Sequence, residues 1–231
     1  MTLLAVAVGD RGLLPPDEPV FRADDEALLR GGAAFETMRV YGGRPLLLDR
    51  HLERLRSSAE ALALPSPEGA EELVELVLGA APPEHVLRVY RTDRVLLATA
   101  STLPDDLEAQ RAGGLTLRSV DADDALLVSG DIVRECATAN IWWRRGHTLC
   151  TPSPGAGVLP GVTRAFLLEL EPAVEGTYRL DELRSSDEAF TTSSIREVMP
   201  VVAVDGTPIG DGRPGPAAAR LQALLRLRSV A

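Results

Sequence analysis

Hydrophobic and polar residues alternate along short runs of the chain, and in longer runs the hydrophobic residues recur every three or four positions. Alternation in 35–41 (FETMRVY) predicts a half-buried strand, followed by a hairpin turn at Gly42-Gly43-Arg44. The recurring pattern over 50–64 and 69–79 predicts two amphipathic helices. Further strands are predicted at 86–90, 95–100 and 115–120, and a closing helix at 216–227. This mixture predicts an α/β (α+β) fold.

The stretch from 132 to 164 carries the clearest candidate chemistry. Its pattern predicts two strands (IVREC and NIWW), a turn into TLC, and an apolar helix that begins at Gly161-Val162-Thr163. A helix start offers free backbone N–H groups and a positive dipole end, so it can bind a phosphate. Glu135 lies upstream on a strand, within reach if the fold brings the two together. A carboxylate and a phosphate site on one scaffold suit a cofactor with a ring nitrogen at one end and a phosphate at the other.

Composition limits the classes of protein to consider. The 231 residues are enough for one large or two small domains, and a polar, acidic connection near Pro104 divides the chain into 1–104 and 105–231. The net charge of −10 argues against a nucleic-acid partner and against an anionic membrane surface. The N-terminal apolar run is too short to span a membrane. Two cysteines, Cys136 and Cys150, make no disulfide framework, which favours a reducing cytoplasm.

Several short motifs occur in the order seen in one known family. Glu135 and Asn140 form E-x-x-x-x-N, which is followed by an aromatic pair, TP and LPGVTR. The pieces GAAFETMR, LDRHLERLRSSA, SDEAFTTSS and GRPGP extend the match over nearly the whole chain. The sequence resembles the class IV aminotransferases, the pyridoxal 5'-phosphate (PLP) enzymes of fold type IV. These include branched-chain and D-amino-acid aminotransferases and aminodeoxychorismate lyase, and RECATANIWWRRGHTLCTP is nearest the lyase branch.

The resemblance implies an architecture and a reaction class. It implies a small N-terminal α/β domain, a larger C-terminal domain with a barrel-like sheet, and PLP bound between them. It also implies a homodimer in which the partner chain completes the site. The expected substrate is an amino acid or an amino-chorismate such as aminodeoxychorismate. Substrate choice depends on loops that the motifs do not assign.

The resemblance also assigns roles to residues that would bind the cofactor. Arg54, in H-x-x-R-L, would bind the phosphate, because a guanidinium matches phosphate oxygens. Glu135 would pair with the pyridine nitrogen and keep it protonated. Gly161, Val162 and Thr163 would add two backbone N–H groups and a hydroxyl. The simpler alternatives are a solvated helix arginine, an edge-strand glutamate and a plain helix cap.

Other candidates lie on separate segments. Ser193 and Ser194 would add hydroxyls and N–H groups to the phosphate site from a second loop, whereas Arg39 and Tyr41 lie on the strand that in the family faces the substrate. For these last two, structural packing is a serious alternative. His51 and His147 are expected at the surface or in turns. The ligand spacings of a metal site are missing, so no metal is expected.

The chain contains no lysine, since all 24 of its Lys+Arg residues are arginine. PLP enzymes need a lysine ε-amine that reacts with the cofactor aldehyde, and arginine stays protonated and cannot replace it. Family members carry this lysine between the strand matching 115–120 and the piece matching 122–128. Here Val120 runs straight into Asp121, and smaller gaps fall near 92–93 and 171–175.

Two explanations account for the missing lysine, and no catalytic residue is assigned under either. In the first, the full protein has loop segments that this sequence omits, because all three gaps fall where loops are expected. In the second, the chain is really this short and is a lysine-less, non-catalytic homologue that keeps the phosphate-binding fold.

Overall fold

The computed structural model describes residues 1–117 and 125–229, which divide into two compact units, Met1–Pro104 and Asp105–Ser229. The junction of Val120 and Asp121, where the lysine segment would be expected, lies outside the described residues. Within them, no helix combines the length and hydrophobicity needed to cross a bilayer.

The first unit is built on a six-stranded antiparallel sheet in the order β2-β1-β6-β5-β3-β4. Its strands are β1 (Leu3–Val8), β2 (Gly12–Leu14), β3 (Ala34–Tyr41), β4 (Arg44–Pro45), β5 (His85–Arg91) and β6 (Leu96–Ser101). Its helices are α1 (Glu26–Arg30), α2 (Leu48–Ala61) and α3 (Ala70–Ala80).

Helices α2 and α3 pack on one face of this sheet and enclose its core. Alternation along β3 turns Ala34, Met38 and Val40 toward the helices, as period-two patterning requires. The predicted stripe of α2 is buried at Leu52 and Leu55, which confirms the helical interpretation of this segment. Glu36 shares the core-facing side of β3, although it is a charged residue.

The second unit contains a seven-stranded sheet in the order β12-β11-β10-β13-β14-β15, with β7 parallel to β14. Its strands are β7 (Leu115–Leu117), β8 (Leu126–Ser129), β9 (Ile132–Cys136), β10 (Asn140–Arg145), β11 (Thr148–Pro152), β12 (Val174–Gly176), β13 (Glu188–Ser193), β14 (Glu197–Val204) and β15 (Thr207–Pro208). Strands β8 and β9 form a separate two-stranded sheet. The helices are α4 (Leu107–Gly113), α5 (Val162–Leu170), α6 (Leu180–Arg184) and α7 (Pro216–Ser229), with a 3-10 turn at Pro154–Ala156.

The mixed α/β character is confirmed, but the barrel-like closure expected for the C-terminal domain is not. Closing a barrel requires the two end strands of a sheet to pair with each other. Across the described part of the second unit, the sheet stays open between the short strands β12 and β15.

Two adjacent tryptophans on β10 show that both faces of the second sheet are covered. Trp143 packs edge-on against Tyr178, with ring centroids 4.8 Å apart. Trp142, on the opposite face, stacks on Phe190 at 6.0 Å and belongs to the apolar layer that includes residues of α5 and α7. Because side chains alternate along a strand, Asn140 faces the same side as Trp142, toward α5.

Candidate functional site

The predicted site segments of the second unit meet at one end of its sheet. Asn140, the first residue of β10, pairs with Thr192 near the end of β13. Ser193 follows Thr192 and ends that strand, and Ser194 lies in the turn after it. Helix α5 packs on β13. The start of β10, the end of β13 and the helix start at Gly161 are therefore held in one region.

Glu135 is held in this region through one of its two carboxylate oxygens. Its Oε2 accepts hydrogen bonds from Asn140 Nδ2 and from the Leu159 backbone N–H, both at 3.0 Å. Burial raises the pKa of Glu135 above its ordinary value, although the Leu159 N–H and the charge of Arg164 act in the opposite direction. Among the described residues, no hydrogen bond engages Oε1. This arrangement leaves one oxygen to accept a further N–H.

Asn140 links the carboxylate to the approach of α5. Its Nδ2 also donates to the Leu159 carbonyl at 2.9 Å, and the Gly161 N–H donates to the same carbonyl at 2.8 Å. A Cβ atom added to Gly161 would lie 2.1 Å from Asn140 Oδ1, so only glycine fits here without a shift. The motif containing Asn140 was recognised in the sequence, but its role as a clamp was not predicted.

The helix start itself carries an unsatisfied polar group. Gly161 adopts an extended conformation before the first turn of α5, and Val162 and Thr163 are buried. Thr163 Oγ1 is buried and has no hydrogen-bond partner among the described residues. Leaving a buried hydroxyl unpaired costs about 1–3 kcal/mol, so an anionic oxygen placed here would be stabilised.

Ser193 and Ser194 are the candidate phosphate-binding residues at the end of β13. Ser193 Oγ accepts a hydrogen bond from the Arg196 N–H at 3.2 Å, which shapes the turn after β13. The position of both residues beside the start of β10 agrees with a second loop near Thr163. Their predicted role in binding phosphate stays a prediction.

Arg164 was not singled out in the sequence, yet it fixes the first turn of α5. The side chain is 4% exposed, forms an ion pair with Glu175 and donates through Nη2 to the Pro152 carbonyl at 2.8 Å. Its guanidinium carbon lies 5.9 Å from the centroid of the Trp142 ring. Arg164 therefore anchors the helix to neighbouring strands and places a positive charge near Glu135.

In the first unit, Arg54 is part of a buried charged cluster. It donates through Nε to Glu36 Oε1 at 2.7 Å and through Nη2 to Glu36 Oε2 at 2.6 Å. His51 Nδ1 lies 2.6 Å from the same Oε2. Burial would raise the pKa of Glu36, but the hydrogen bonds from His51 and Arg54 and the charge of Arg54 outweigh it and lower the pKa overall.

The expectation that His51 lies at the surface is wrong, whereas His147 is exposed as expected. His51 is 1% exposed because it lies with Leu52 and Leu55 on the face of α2 that meets β3. There its Nδ1 contacts the carboxylate of Glu36. The sequence carried one usable signal, since His51 lies four residues before the apolar Leu55. Arg54 and Glu135 belong to different units, so their predicted action on one cofactor stays a prediction.

Arg39 and Tyr41 lie on the opposite face of β3 from Glu36. The Arg39 guanidinium carbon is 4.5 Å from the centroid of the Tyr41 ring, and its Nη2 is 3.8 Å from Glu84 Oε2. Nε and Nη1 of Arg39 are buried without hydrogen-bond partners in the described part of the chain. A ligand carboxylate could engage them, and the role in substrate binding stays a prediction.

Comparisons with known proteins agree with the motifs. The chain is 26% identical over 256 positions to the aminodeoxychorismate lyase of Bacillus subtilis (strain 168), covering 87% of each chain. It is 24% identical over 262 positions to the D-alanine aminotransferase of Listeria monocytogenes serotype 1/2a (strain 10403S), covering 90% of this chain and 91% of that one. Its fold is similar to that of a hypothetical aminotransferase from Mycobacterium tuberculosis in its PLP-bound form, with a TM-score of 0.87, 23% identity and 98% of both chains covered.

These alignments also bear on the missing lysine. The spans of 256 and 262 positions are longer than the 231 residues of the chain, so both alignments open gaps on its side. A model of the amino-transferase class IV family matches in two stretches, 33–118 and 114–204, which overlap at 114–118, shortly before the junction of Val120 and Asp121. Since the two stretches together span most of its length, the chain belongs to the amino-transferase class IV family.

Proposed function

We propose that this chain is a PLP-dependent enzyme that acts on an amino acid or an amino-chorismate. The observation that carries the proposal is the clamped carboxylate of Glu135 beside the start of α5. Asn140 and the Leu159 N–H hold one oxygen of this carboxylate, and the buried hydroxyl of Thr163 lies unpaired at the helix start. One group suits a ring N–H and the other suits a phosphate oxygen.

The described residues fit PLP at its ring and phosphate ends. Thr163 Oγ1, the backbone N–H groups of Val162 and Thr163, and Ser194 would hold the phosphate. Arg54 stays a phosphate ligand that the family resemblance implies. Glu135 Oε1 would accept a hydrogen bond from the protonated ring nitrogen. When bound, PLP supplies an electron-withdrawing ring that stabilises negative charge developing on the substrate. The burial that raises the pKa of Glu135 would be offset by the positive charge of the protonated ring, so this carboxylate would stay ionised against it.

Covalent attachment of PLP needs an amine that this sequence does not contain. We place the lysine in a segment missing between Val120 and Asp121, because the family match divides at 114–118, shortly before this junction, and the alignments need extra positions. The absence of lysine itself favours the alternative, a non-catalytic homologue that binds PLP or another phosphate reversibly. The genomic reading frame between the codons for Val120 and Asp121 distinguishes a real deletion from an omitted segment.

The nature of bound PLP in the purified protein tests the proposal directly. Covalently attached PLP makes the protein yellow, and borohydride bleaches the colour and fixes the added mass to a peptide that mass spectrometry identifies. Colourless protein that takes up PLP reversibly would support the non-catalytic homologue. Protein that binds neither PLP nor pyridoxamine 5'-phosphate would refute both.

Two activities are then compared on the same preparation. We propose a lyase acting on aminodeoxychorismate ahead of an aminotransferase, because the Bacillus subtilis relative is a lyase and the stretch RECATANIWWRRG is nearest that branch. Consumption of aminodeoxychorismate without an added amino-group acceptor would support the lyase. Amino-group transfer from D- or L-amino acids to an oxoacid would support the aminotransferase.

We further propose a cytoplasmic homodimer, as the resemblance implies. Both cysteines, Cys136 and Cys150, are buried and form no disulfide, which agrees with a reducing compartment. Sedimentation equilibrium tests the assembly, and a mass near one chain at micromolar concentration would refute it.

A further inference from the structure

The carboxylate of Glu36 is unusual for a residue on the core face of a sheet. Glu36 lies on β3 between Ala34 and Met38, which belong to the apolar core of the first unit, and is itself only 2% exposed. Replacing a buried ion pair with apolar residues of similar volume is often neutral or stabilising. Stability alone therefore gives little reason for a glutamate at this position.

The contacts of Glu36 provide another reason, because they fix the orientation of one guanidinium group. Arg54 donates to both carboxylate oxygens through Nε and Nη2, which is the paired, side-on geometry that sets the plane as well as the position of the group. His51 Nδ1 contacts the same oxygen as Arg54 Nη2 and is itself buried. The histidine and the arginine thus fix the carboxylate together.

The exposure of the partners shows which way the guanidinium faces. The side chain of Glu36 is 2% exposed and that of His51 is 1% exposed, whereas the side chain of Arg54 is 24% exposed. Arg54 therefore lies between the buried carboxylate and the surface of its unit. Nε and Nη2 of Arg54 form the edge that Glu36 holds, so the carboxylate fixes the plane of the guanidinium.

We propose that Glu36 is a positioning residue that holds Arg54 in the orientation needed to bind the phosphate of a pyridoxal or pyridoxamine phosphate. The proposal rests on the proposed function, because only there is Arg54 a phosphate ligand. A guanidinium attached to a flexible side chain loses rotamer freedom when it binds, and prior fixation by Glu36 removes part of this cost. His51 supports the orientation of Arg54 indirectly, because its Nδ1 holds the Glu36 carboxylate in place.

The competing role for Glu36 is neutralisation of Arg54, and the two roles predict changes of opposite sign. In Glu36→Gln, the amide keeps one acceptor but presents N–H donors to the other guanidinium nitrogen, so the paired geometry is lost. If Glu36 orients Arg54, the substitution Glu36→Gln weakens phosphate binding. If Glu36 mainly cancels the charge of Arg54, removing the negative charge strengthens phosphate binding.

The experiment compares two probes that differ only in the phosphate and that need no lysine. The dissociation constants of pyridoxamine 5'-phosphate and of pyridoxamine are measured by calorimetry for the full chain and for Glu36→Gln. The dissociation constant of pyridoxamine divided by that of pyridoxamine 5'-phosphate is the ratio that isolates the phosphate site, because general loosening of the fold weakens both probes alike. We expect the ratio to fall by at least about tenfold, which corresponds to ~1.4 kcal/mol.

A matched control is the same substitution in an exposed arginine–glutamate pair of the same unit. Glu71 pairs with Arg56, and their side chains are 48% and 53% exposed. Glu71→Gln should leave the ratio unchanged, since exposed pairs contribute little. An unchanged or increased ratio in Glu36→Gln would overturn the proposal while leaving the proposed function intact.

Histidine variants test the proposal if Glu36→Gln does not fold. His51→Asn keeps an N–H donor near the position of Nδ1, whereas His51→Ala removes it. We expect His51→Asn to retain the preference for the phosphorylated probe and His51→Ala to reduce it, and equal ratios in both would count against the proposal. A wild-type protein that binds both probes equally would instead overturn the phosphate site and with it the proposed function.

Discussion

Substitution of Gly161 by alanine tests the clamp around Glu135 at its tightest point. The backbone of Gly161 has φ −64° and ψ 137°, which any residue can adopt, so alanine introduces no backbone strain. The added Cβ, however, would lie 2.1 Å from Asn140 Oδ1 and 3.3 Å from its Cγ. Asn140 is 5% exposed and donates two hydrogen bonds, so its side chain cannot move aside without breaking them.

The expected cost follows from those two bonds. The bond from Asn140 to the Glu135 carboxylate contributes about 1.5–3 kcal/mol, and the bond to the Leu159 carbonyl contributes about 0.5–1.5 kcal/mol. Alanine lowers the conformational entropy of the unfolded chain, which offsets this cost by about 0.4–1 kcal/mol. Gly161→Ala should therefore lower the free energy of unfolding by about 1–4 kcal/mol, measured by urea unfolding followed by circular dichroism.

Two companion variants make this prediction specific. Gly79→Ala is the same substitution in α3, where a Cβ meets nothing within 4 Å, and should raise stability by roughly 0.5–1 kcal/mol. In an Asn140→Ala background the clash disappears, so adding Gly161→Ala should cost almost nothing further. Equal stability of Gly161→Ala and wild type, or an undiminished cost without Asn140, would show that the clamp is not formed as described.

Three further predictions concern single side chains of the second unit. Both carboxylate oxygens of Glu188 accept hydrogen bonds from backbone N–H groups at the start of α7, at 3.1 and 2.7 Å. Glu188→Ala should therefore lower the free energy of unfolding by roughly 2–4 kcal/mol and speed hydrogen exchange in α7, and unchanged exchange would contradict this. Because burial raises the pKa of Glu135, the ligand-free fold holds this proton more tightly than the unfolded chain and loses stability as pH rises from the ordinary toward the raised pKa. Glu135→Gln should remove that loss in unfolding measurements across pH, and parallel curves for both proteins would refute it. Thr163→Val removes the unpaired hydroxyl, so thermal unfolding should show a stability equal to that of the wild type or up to ~1 kcal/mol greater. Calorimetry should show weaker binding of pyridoxamine 5'-phosphate, and unchanged binding would show that Thr163 does not bind the phosphate.

The parts of the fold that the sequence predicted are those controlled by local periodicity. Alternation in β3 and the three-to-four spacing in α2 depend only on neighbouring positions, and both elements formed as expected. Barrel closure is a property of the strands at the two ends of a sheet, and β12 and β15 gave no local signal for or against it. That the sheet stays open in the described part of the second unit could therefore be seen only in the folded chain.

The candidate site could be predicted in its residue types but not in its contacts. Glu135 and Thr163 were identified from motifs, whereas the Asn140 clamp depends on a loop carbonyl nineteen residues further along the chain. The burial of His51 depends on Glu36, which lies on another element fifteen residues away. Long-range pairings between polar groups leave no periodic signature, because only the fold determines which of them meet.

The chain has two tryptophans, and both lie on one strand of the second unit. Tryptophan fluorescence therefore reports on the second unit and gives no signal from the first. The two rings lie on opposite sides of the same strand. Replacing Trp142 with phenylalanine would leave an emitter beside Tyr178, and replacing Trp143 would leave one beside Phe190. Each side of this unit can thus be followed optically on its own while the protein unfolds or takes up a cofactor.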